Sequence, residues 1–446
     1  MHSITTSLLN NRNDAWLQLC AITYCGVCLT LGVSSTAYAT IELPLFATCI
    51  LLATITWLAA LFISRHHTIS MRTVLFWAIV FRVCMLPGFP VLEDDIYRYM
   101  WDGYMVATSG SAYGIPPELY YTMDLPAGIH KVLNLVSNPD IPTVYGPITE
   151  WFFGLGYLLA PGEIWPLKAV ILIFDIGLLL LLTQWLSARR FLLLSWCPLM
   201  VMQFSLNAHI DILAIFFLIA ALTTMLRHYP WWLPPLLIGL AVSCKIFALL
   251  AAPFLITQWR QGIVFALTVA IFYVPLLLTG NSEFDGLLVM SSQWIFNSPL
   301  YSVGYLLNGD ALIRTINPIL FVAGYILIVR RFASNHEIMS RATGCLYVYA
   351  LLMICLPVVN AWYFAWVLIF APLTRNYWPW VSATAVWLTL VIGINLRSDT
   401  LDLYEMPLGI LTLEYMIIVA AVLCEFGVPW FRKWQGIRRS HNVTQT

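Results

Sequence analysis

Residues 166–186 read PLKAVILIFDIGLLLLLTQWL, and Lys168 and Asp175 are the only charged residues among them. A helix crosses the hydrocarbon core of a membrane with about 20 apolar residues, so this stretch is long and apolar enough to span one. Of all 446 residues, 61% are hydrophobic and 10% are charged. This composition predicts an all-α polytopic integral membrane protein with about 11–14 transmembrane helices. It excludes an ordinary soluble enzyme, a nucleic-acid-binding protein and a disordered chain.

Apolar runs like this one recur along the whole chain. They lie near residues 15–37, 41–63, 71–88, 147–160, 166–186, 191–206, 209–226, 231–257, 262–279, 311–330, 342–357, 361–373, 378–395 and 408–425. The runs at 147–160 and 361–373 are shorter than a full span. The run at 231–257 contains three prolines and Lys245, so we expect one broken helix or two short ones.

The distribution of charge predicts the orientation in the membrane. Arginines cluster in short loops such as 330–341 and in the C-terminal tail, which places these segments in the cytoplasm. Segment 89–150 has eight carboxylates against Arg98 and Lys131, so we expect it outside, together with 280–300 and 396–407. One conflict stays open: if 147–160 crosses completely, Arg189 and Arg190 also fall outside.

Segment 89–150 is the only long polar stretch, and long loops of this kind are usually functional. Asp95, Arg98, Tyr99 and Asp102 follow helical spacing, so one face of a short helix would present all four. The remaining aromatic and apolar positions, including Trp101, would form an amphipathic face on the membrane surface. In the structural alternative, Asp94 or Asp95 caps this helix and Asp95 forms a surface ion pair with Arg98.

The motif Asp94–Gly103, D-D-I-Y-R-Y-M-W-D-G, resembles the signature of bacterial GT-C glycosyltransferases that use a polyprenyl-phosphate sugar. Members of that superfamily carry an essential aspartate in the first long extracytoplasmic loop, directly after a span. Four later elements match the family in order, with Asn-Ala replacing the usual proline of the last: Pro142–Pro147 (tyrosine-proline element), Asn207–Asp211 (H-x-D), Lys245 with Pro253, and Asn360–Tyr363 (P-W-Y element).

The resemblance covers most of 75–375 and implies a GT-C fold with amphipathic juxtamembrane helices in its long outer loop. It divides the chain into two N-terminal spans in 1–70, a catalytic module in 71–375 and C-terminal spans with a basic cytoplasmic tail in 376–446.

The chemistry of a lipid-phosphate donor predicts a single carboxylate base. Phosphate is a good leaving group, so the enzyme needs mainly to remove a proton from the acceptor hydroxyl. A glycosidase would instead need two opposed carboxylates. Alignment with D-x-x-R-Y in related transferases identifies Asp95 as the base. Neighbouring helical residues diverge by about 100° and cannot both face one substrate atom, so only one of the two aspartates can be the base. Asp94 is the second candidate.

The departing phosphate requires positive charge or hydrogen-bond donors. Arg98 is the first candidate, followed by His209 and Lys245, because ionisable groups at membrane depth are usually functional. The candidates for a sugar or lipid groove are Tyr99, Asp102, Tyr145, Asp211, Trp362 and Tyr363.

Each of these residues also has a structural interpretation. His209 and Asp211 could satisfy helix ends, Lys245 could pair with Asp175 or reach towards water, and the aromatic residues could form an interfacial belt. Arg82 would order the acidic loop through an ion pair, and Lys168 would pair with Asp175.

We expect no metal or other cofactor. Glu93, Asp94, Asp95 and Asp102 offer oxygen ligands that suit Mg²⁺ or Mn²⁺. The resemblance nevertheless points to monophosphate donors, and such transferases generally do not require a metal, unlike the related oligosaccharyltransferases.

The sequence therefore predicts an inverting hexosyltransferase in the bacterial inner membrane. It would transfer a hexose, most simply mannose, at the periplasmic face from a polyprenyl-phosphate sugar to a glycolipid, a cell-envelope glycan or a protein. One alternative is a secondary transporter, because charged residues lie near spans, although the chain lacks related halves. The other is a lipid-linked glycan polymerase or ligase, which usually has key basic residues in a late outer loop.

Overall fold

The computed structural model describes residues 2–35, 41–91, 93–307, 309–335, 337–392, 396–397 and 406–443. The predicted outer segment 396–407 lies largely outside these residues. Two short parallel strands, Ile41–Glu42 and Leu396–Arg397, pair with each other, and almost everything else that is described is helical. This confirms the all-α prediction.

The helices of the first half, in chain order, are α1 (His2–Ser34), α2 (Leu43–His66), α3 (Met71–Met85), α4 (Asp95–Ser109), α5 (Ala127–Leu133), α6 (Pro147–Leu159), α7 (Trp165–Thr183), α8 (Ala188–Ser195), α9 (Pro198–Ser205) and α10 (Asp211–Leu226). Those of the second half are α11 (Leu233–Cys244), α12 (Ala252–Leu255), α13 (Trp259–Thr279), α14 (Glu283–Gln293), α15 (Pro299–Leu306), α16 (Asp310–Phe332), α17 (Ile338–Cys355), α18 (Ala365–Leu368), α19 (Trp378–Ala385) and α20 (Leu408–Val443). Short 3₁₀ helices occupy Pro117–Tyr120, Ile246–Ala251, Ala361–Phe364, Ala371–Leu373 and Val386–Ile392.

Seven of the described helices are long and apolar enough to cross a membrane. They comprise Ala15–Ser34, Leu43–His66, Trp165–Thr183, Trp259–Thr279, Ala311–Phe332, Ile338–Cys355 and Leu408–Gly427. Four further apolar segments are shorter: Asp211–Leu226, Leu233–Cys244, Ile246–Leu255 and Ala361–Leu373. The chain is a multi-pass membrane protein in which short helices are packed among longer spans.

Prolines and one lysine interrupt the apolar runs. The apolar run at 191–206 is divided into α8 and α9. Pro198 disfavours helical backbone at the preceding Cys197, which has φ −56° and ψ 123°. The run at 231–257 is broken as predicted. Its break falls at Lys245, where the backbone is extended (φ −153°, ψ 125°) before the 3₁₀ helix at 246–251 begins.

Two buried basic residues have partners that differ from the predicted ones. The Nε of Arg82 lies 2.7 Å from Oδ2 of Asp175, and both side chains are 1% exposed. The Nζ of Lys168 donates to the main-chain carbonyls of Met85, at 3.1 Å, and Gly88. The predicted Lys168–Asp175 pair is therefore wrong, and so is the predicted ion pair between Arg82 and the acidic loop. Burial explains the difference, because a guanidinium removed from water needs a nearby carboxylate.

The acidic loop 89–150 has a small hydrophobic core of its own. Trp101 and Met105 of α4 pack with Ile129 and Leu133 of α5, and Trp101 is 1% exposed. The expected membrane-surface position of Trp101 is therefore wrong, since the loop folds over it. At Gly103 a Cβ atom would lie 2.4 Å from the carbonyl oxygen of Phe153, so the glycine lets α4 approach α6 closely.

Candidate active site

The acidic motif begins at the N-terminus of α4. Oε1 of Glu93 accepts hydrogen bonds from the main-chain N–H groups of Asp94 (3.1 Å) and Asp95 (3.0 Å). The helix is therefore capped by Glu93, and the predicted capping by Asp94 or Asp95 is wrong. Asp94 instead accepts a hydrogen bond from the hydroxyl of Ser137 at 3.1 Å. The Glu93 cap fixes the direction in which the two aspartates leave the backbone.

Arg98 is held one turn further along α4. Its Nε donates to both carboxylate oxygens of Asp102, at 2.9 and 3.1 Å, and Nη1 donates to the carbonyl of Ile141 at 2.8 Å. The alternative pair between Asp95 and Arg98 is therefore wrong. The hydroxyl of Thr143 lies 2.7 Å from Asp102 and 2.7 Å from Glu150, which ties this pair to the end of the loop.

His209 lies in the turn before α10, buried behind Trp362. The two rings stack with centroids 3.7 Å apart and an interplanar angle of 16°. The imidazole Nε2 lies 3.6 Å from Oε2 of Glu93. The preceding Ala208 has φ +61°, a left-handed conformation that is uncommon for a residue with a side chain and often marks a functional site. This turn directs His209 towards the acidic motif.

Lys245, at the break after α11, forms an ion pair with Asp211. Its Nζ lies 2.7 Å from both carboxylate oxygens, and the indole N–H of Trp366 donates to the same carboxylate at 2.7 Å. The ammonium also lies 4.7 Å from the centroid of the Tyr363 ring, a cation–π distance. The suggested pair between Lys245 and Asp175 is therefore wrong, since Asp175 already binds Arg82.

These elements surround a cavity of about 520 Å³. The predicted site residues that line it are Asp94, Asp95, Arg98, Tyr99, Tyr145, Asp211, Lys245, Trp362 and Tyr363. Asp102 and His209 lie behind this wall, the first against Arg98 and the second against Trp362 and Glu93. Residues from five separate stretches of sequence are thus brought to one site.

The acidic end of the cavity changes the ionisation of its carboxylates. Burial, and then the neighbouring charge of Asp94, raises the pKa of Asp95 to about 7, although Lys245 acts in the opposite direction. Burial and the charges of Asp95 and Asp94 also raise the pKa of Glu93 well above its ordinary value. A carboxylate that titrates near neutral pH is a stronger base than an ordinary aspartate, and above pH 7 more than about half of it is ionised.

Three of these residues could hold a metal ion. Glu93, Asp95 and His209 each offer a ligand atom, and these atoms lie within 4.8 Å of one another. Two carboxylates and an imidazole suit Mn²⁺ or Zn²⁺. The absence of a metal requirement stays a prediction.

Several residues of the cavity have no role predicted from the sequence, although Asn207 begins the H-x-D element. Gln203, Asn207 and Glu283 also line it. Asn207 accepts a hydrogen bond from the main chain of Val91 at 3.0 Å and so connects the start of the acidic loop to the His209 turn. The available signal for Glu283 was its helical spacing with Leu287 and Met290 in segment 280–300, which the sequence predicts to lie outside.

A family model described as alpha-(1->6)-mannopyranosyltransferase, N-terminal domain, matches residues 26–261, more than half of the chain. The chain belongs to this family. No curated protein matches it. The protein is a mannosyltransferase of the GT-C type, which confirms the enzyme prediction. The matched part of the mannosyltransferase includes Asp95, Arg98, His209 and Lys245, whereas Glu283 and Trp362 follow it.

Proposed function

We propose that this mannosyltransferase transfers mannose from a polyprenyl-phosphate donor to a hydroxyl of a glycolipid, cell-envelope glycan or protein acceptor. The observation that carries the proposal is that Asp95, with its raised pKa, lines the same cavity as Arg98 and Lys245. A base and two cations within one site suit the transfer of a sugar away from a phosphate.

Asp95 is the proposed general base. It removes the proton of the acceptor hydroxyl while the hydroxyl oxygen bonds to the anomeric carbon of mannose. The bond from that carbon to the phosphate oxygen breaks, and polyprenyl phosphate leaves with the bonding electrons. Asp94 remains the second candidate, but its contact with Ser137 favours Asp95, which lies in the cluster with Glu93 and His209.

Arg98 and Lys245 are the proposed partners of the donor phosphate. Both line the cavity, and Nη2 of Arg98 has no hydrogen-bond partner among the described residues. A phosphate oxygen would satisfy this buried donor and gain a charge-assisted hydrogen bond. His209 lies behind Trp362, so its proposed contribution is to hold Glu93 and the indole in place.

A single base with no protein nucleophile implies inversion at the anomeric carbon. The family description names α-(1→6) linkages. If this chain forms such a linkage, inversion requires a β-linked mannosyl phosphate as donor. The acidic outer loop and the cytoplasmic arginine clusters further support a site on the periplasmic face of the bacterial inner membrane.

The proposal is tested with purified protein and a panel of radiolabelled polyprenyl-phosphate sugars, each offered with membrane glycolipids, isolated glycans or proteins. We expect transfer from the mannosyl monophosphate and little from glucosyl or pyrophosphate-linked donors. Transfer that occurs only from a nucleotide sugar or a lipid pyrophosphate would show that the proposed donor is wrong.

A further inference from the structure

A second wall of the cavity belongs to an outer segment that the chemistry proposed above does not use. Glu283, Leu287, Met290 and Trp294 all line the cavity and are spaced at i, i+4, i+7 and i+11. This spacing places them on one face of α14 and its immediate continuation. A single carboxylate thus stands at the start of an otherwise apolar face.

Glu283 is 1% exposed, which is unusual for a carboxylate. Its Oε1 accepts a hydrogen bond from the hydroxyl of Tyr273 at 2.5 Å. Its Oε2 is buried and has no hydrogen-bond partner among the residues that the structure describes. A buried polar atom without a partner is costly, so one oxygen of this cavity-lining carboxyl group is available to a ligand.

The position of Glu283 is fixed by the packing of α14. Ser282 and Asp285 form a capping box, in which the Ser282 N–H donates to Asp285 at 3.0 Å and the Ser282 hydroxyl accepts from Phe284. At Gly286, a Cβ atom would lie 2.4 Å from the carbonyl oxygen of Pro142. The glycine therefore lets α14 lie directly against the tyrosine-proline element that follows the acidic loop.

The chemistry of this wall selects its ligand. A carboxyl group would repel the donor phosphate, which is better matched by Arg98 and Lys245. Hydroxyl groups donate to such an oxygen, and the apolar positions beside it suit the C–H face of a sugar ring. We propose that Glu283, oriented by Tyr273, binds a sugar hydroxyl of the acceptor and determines acceptor specificity. This proposal rests on the proposed function, because it assigns the acceptor to one wall of the same cavity.

The test compares initial rates for Glu283→Gln, Tyr273→Phe and the wild type, with donor and acceptor varied separately. Replacing the carboxylate weakens a charge-assisted hydrogen bond, so we expect Glu283→Gln to raise the KM for the acceptor at least about tenfold. The KM for the donor and the acidic limb of the pH profile should not change. Tyr273→Phe keeps the carboxyl group but removes the hydroxyl that orients it, and we expect the KM for the acceptor to rise about threefold.

The matched control is Glu118→Gln, which removes an exposed carboxylate from the outer loop and should behave as the wild type. An unchanged acceptor KM in both Glu283→Gln and Tyr273→Phe would overturn the proposal, and so would an effect on the donor KM alone. If Glu283→Gln loses the acidic limb of the pH profile, Glu283 acts as a base rather than as a binding residue, which also overturns the proposal. If Glu283→Gln does not fold, the result for Tyr273→Phe decides. A wild type that uses no polyprenyl-phosphate donor contradicts the proposed function instead.

Discussion

Two ion pairs in this protein have similar chemistry and different surroundings. Arg82 and Asp175 lie 2.7 Å apart, and both side chains are 1% exposed. Lys245 and Asp211 are equally close, but the lysine side chain is 17% exposed and lines the cavity. Neither Arg82 nor Asp175 lines the cavity, and this closed pair joins α3 to α7. The open pair of Lys245 and Asp211 can exchange part of its interaction for a substrate. Access to the cavity, rather than charge at membrane depth, is the better indication of function.

The largest effect should come from the carboxylate beside the open pair. Asp95→Asn keeps the size of the side chain and removes the base, so we expect mannose transfer to fall at least about a thousandfold. Steady-state assays with radiolabelled polyprenyl-phosphate mannose measure this. Asp124→Asn, an exposed carboxylate in the same loop, serves as the control. If a well-folded Asp95→Asn variant transfers mannose normally, Asp95 is not the general base and Asp94 becomes the candidate.

The open pair itself should matter for the donor. Lys245→Met removes the ammonium and keeps an unbranched side chain, so we expect kcat/KM for the donor to fall about a hundredfold. The midpoint of thermal unfolding in detergent should fall less in Lys245→Met than in Arg82→Met, a variant of the closed pair. If Lys245→Met is less stable but has an unchanged kcat/KM for the donor, Lys245 has a structural role only.

The closed pair should show the opposite pattern. Arg82→Met leaves Asp175 without its partner in the interior, which costs about 3–5 kcal/mol of folding free energy. We expect a lower midpoint of thermal unfolding and lower yield, with nearly normal specific activity in the protein that folds. The double variant Arg82→Met with Asp175→Leu should recover much of the stability. A large fall in specific activity with normal stability would show that the two pairs do not differ as described.

The pH dependence sharpens the comparison further. Because the pKa of Asp95 is raised to about 7, the base is protonated and inactive below that pH, and activity should rise with pH through an apparent pKa near 7. The charge of Asp94 helps to raise the pKa of Asp95. Asp94→Asn should therefore shift the acidic limb of the kcat/KM profile to lower pH. If the acidic limb of the pH profile does not move in this variant, the charge of Asp94 does not affect the pKa of the base.

The smallest expected effect concerns metal ions. Glu93, Asp95 and His209 could hold one, but Oε1 of Glu93 already caps α4, and a monophosphate leaving group has less need of a metal. We expect transfer to persist after dialysis against EDTA and to change less than twofold on addition of Mn²⁺ or Mg²⁺. Loss of activity on chelation, restored by Mn²⁺, would show that this cluster is a metal site.

Much of the cavity could be predicted because local motifs carry its chemistry. The helical spacing from Asp95 to Asp102 and the H-x-D and lysine-proline elements each occupy a few consecutive turns, and nine of the predicted residues line one cavity. Partners across helices could not be predicted in this way. Arg82 and Lys168 have carboxylates nearby in sequence that are not the predicted partners in the structure, and Lys245 pairs with Asp211 rather than with Asp175. The reason is that side-chain reach depends on how the helices cross.

The sequence by itself determined the membrane environment and the all-α architecture, because both follow from composition and from the length of apolar runs. It also determined which loop carries the acidic motif. The tertiary structure alone decided that Arg82 pairs with Asp175, that Lys245 pairs with Asp211, and that Glu283 shares a cavity with Asp95. These contacts join residues that are apart in sequence or compete for the same partner. Burial and helix packing select among such partners, and neither is encoded in a local pattern.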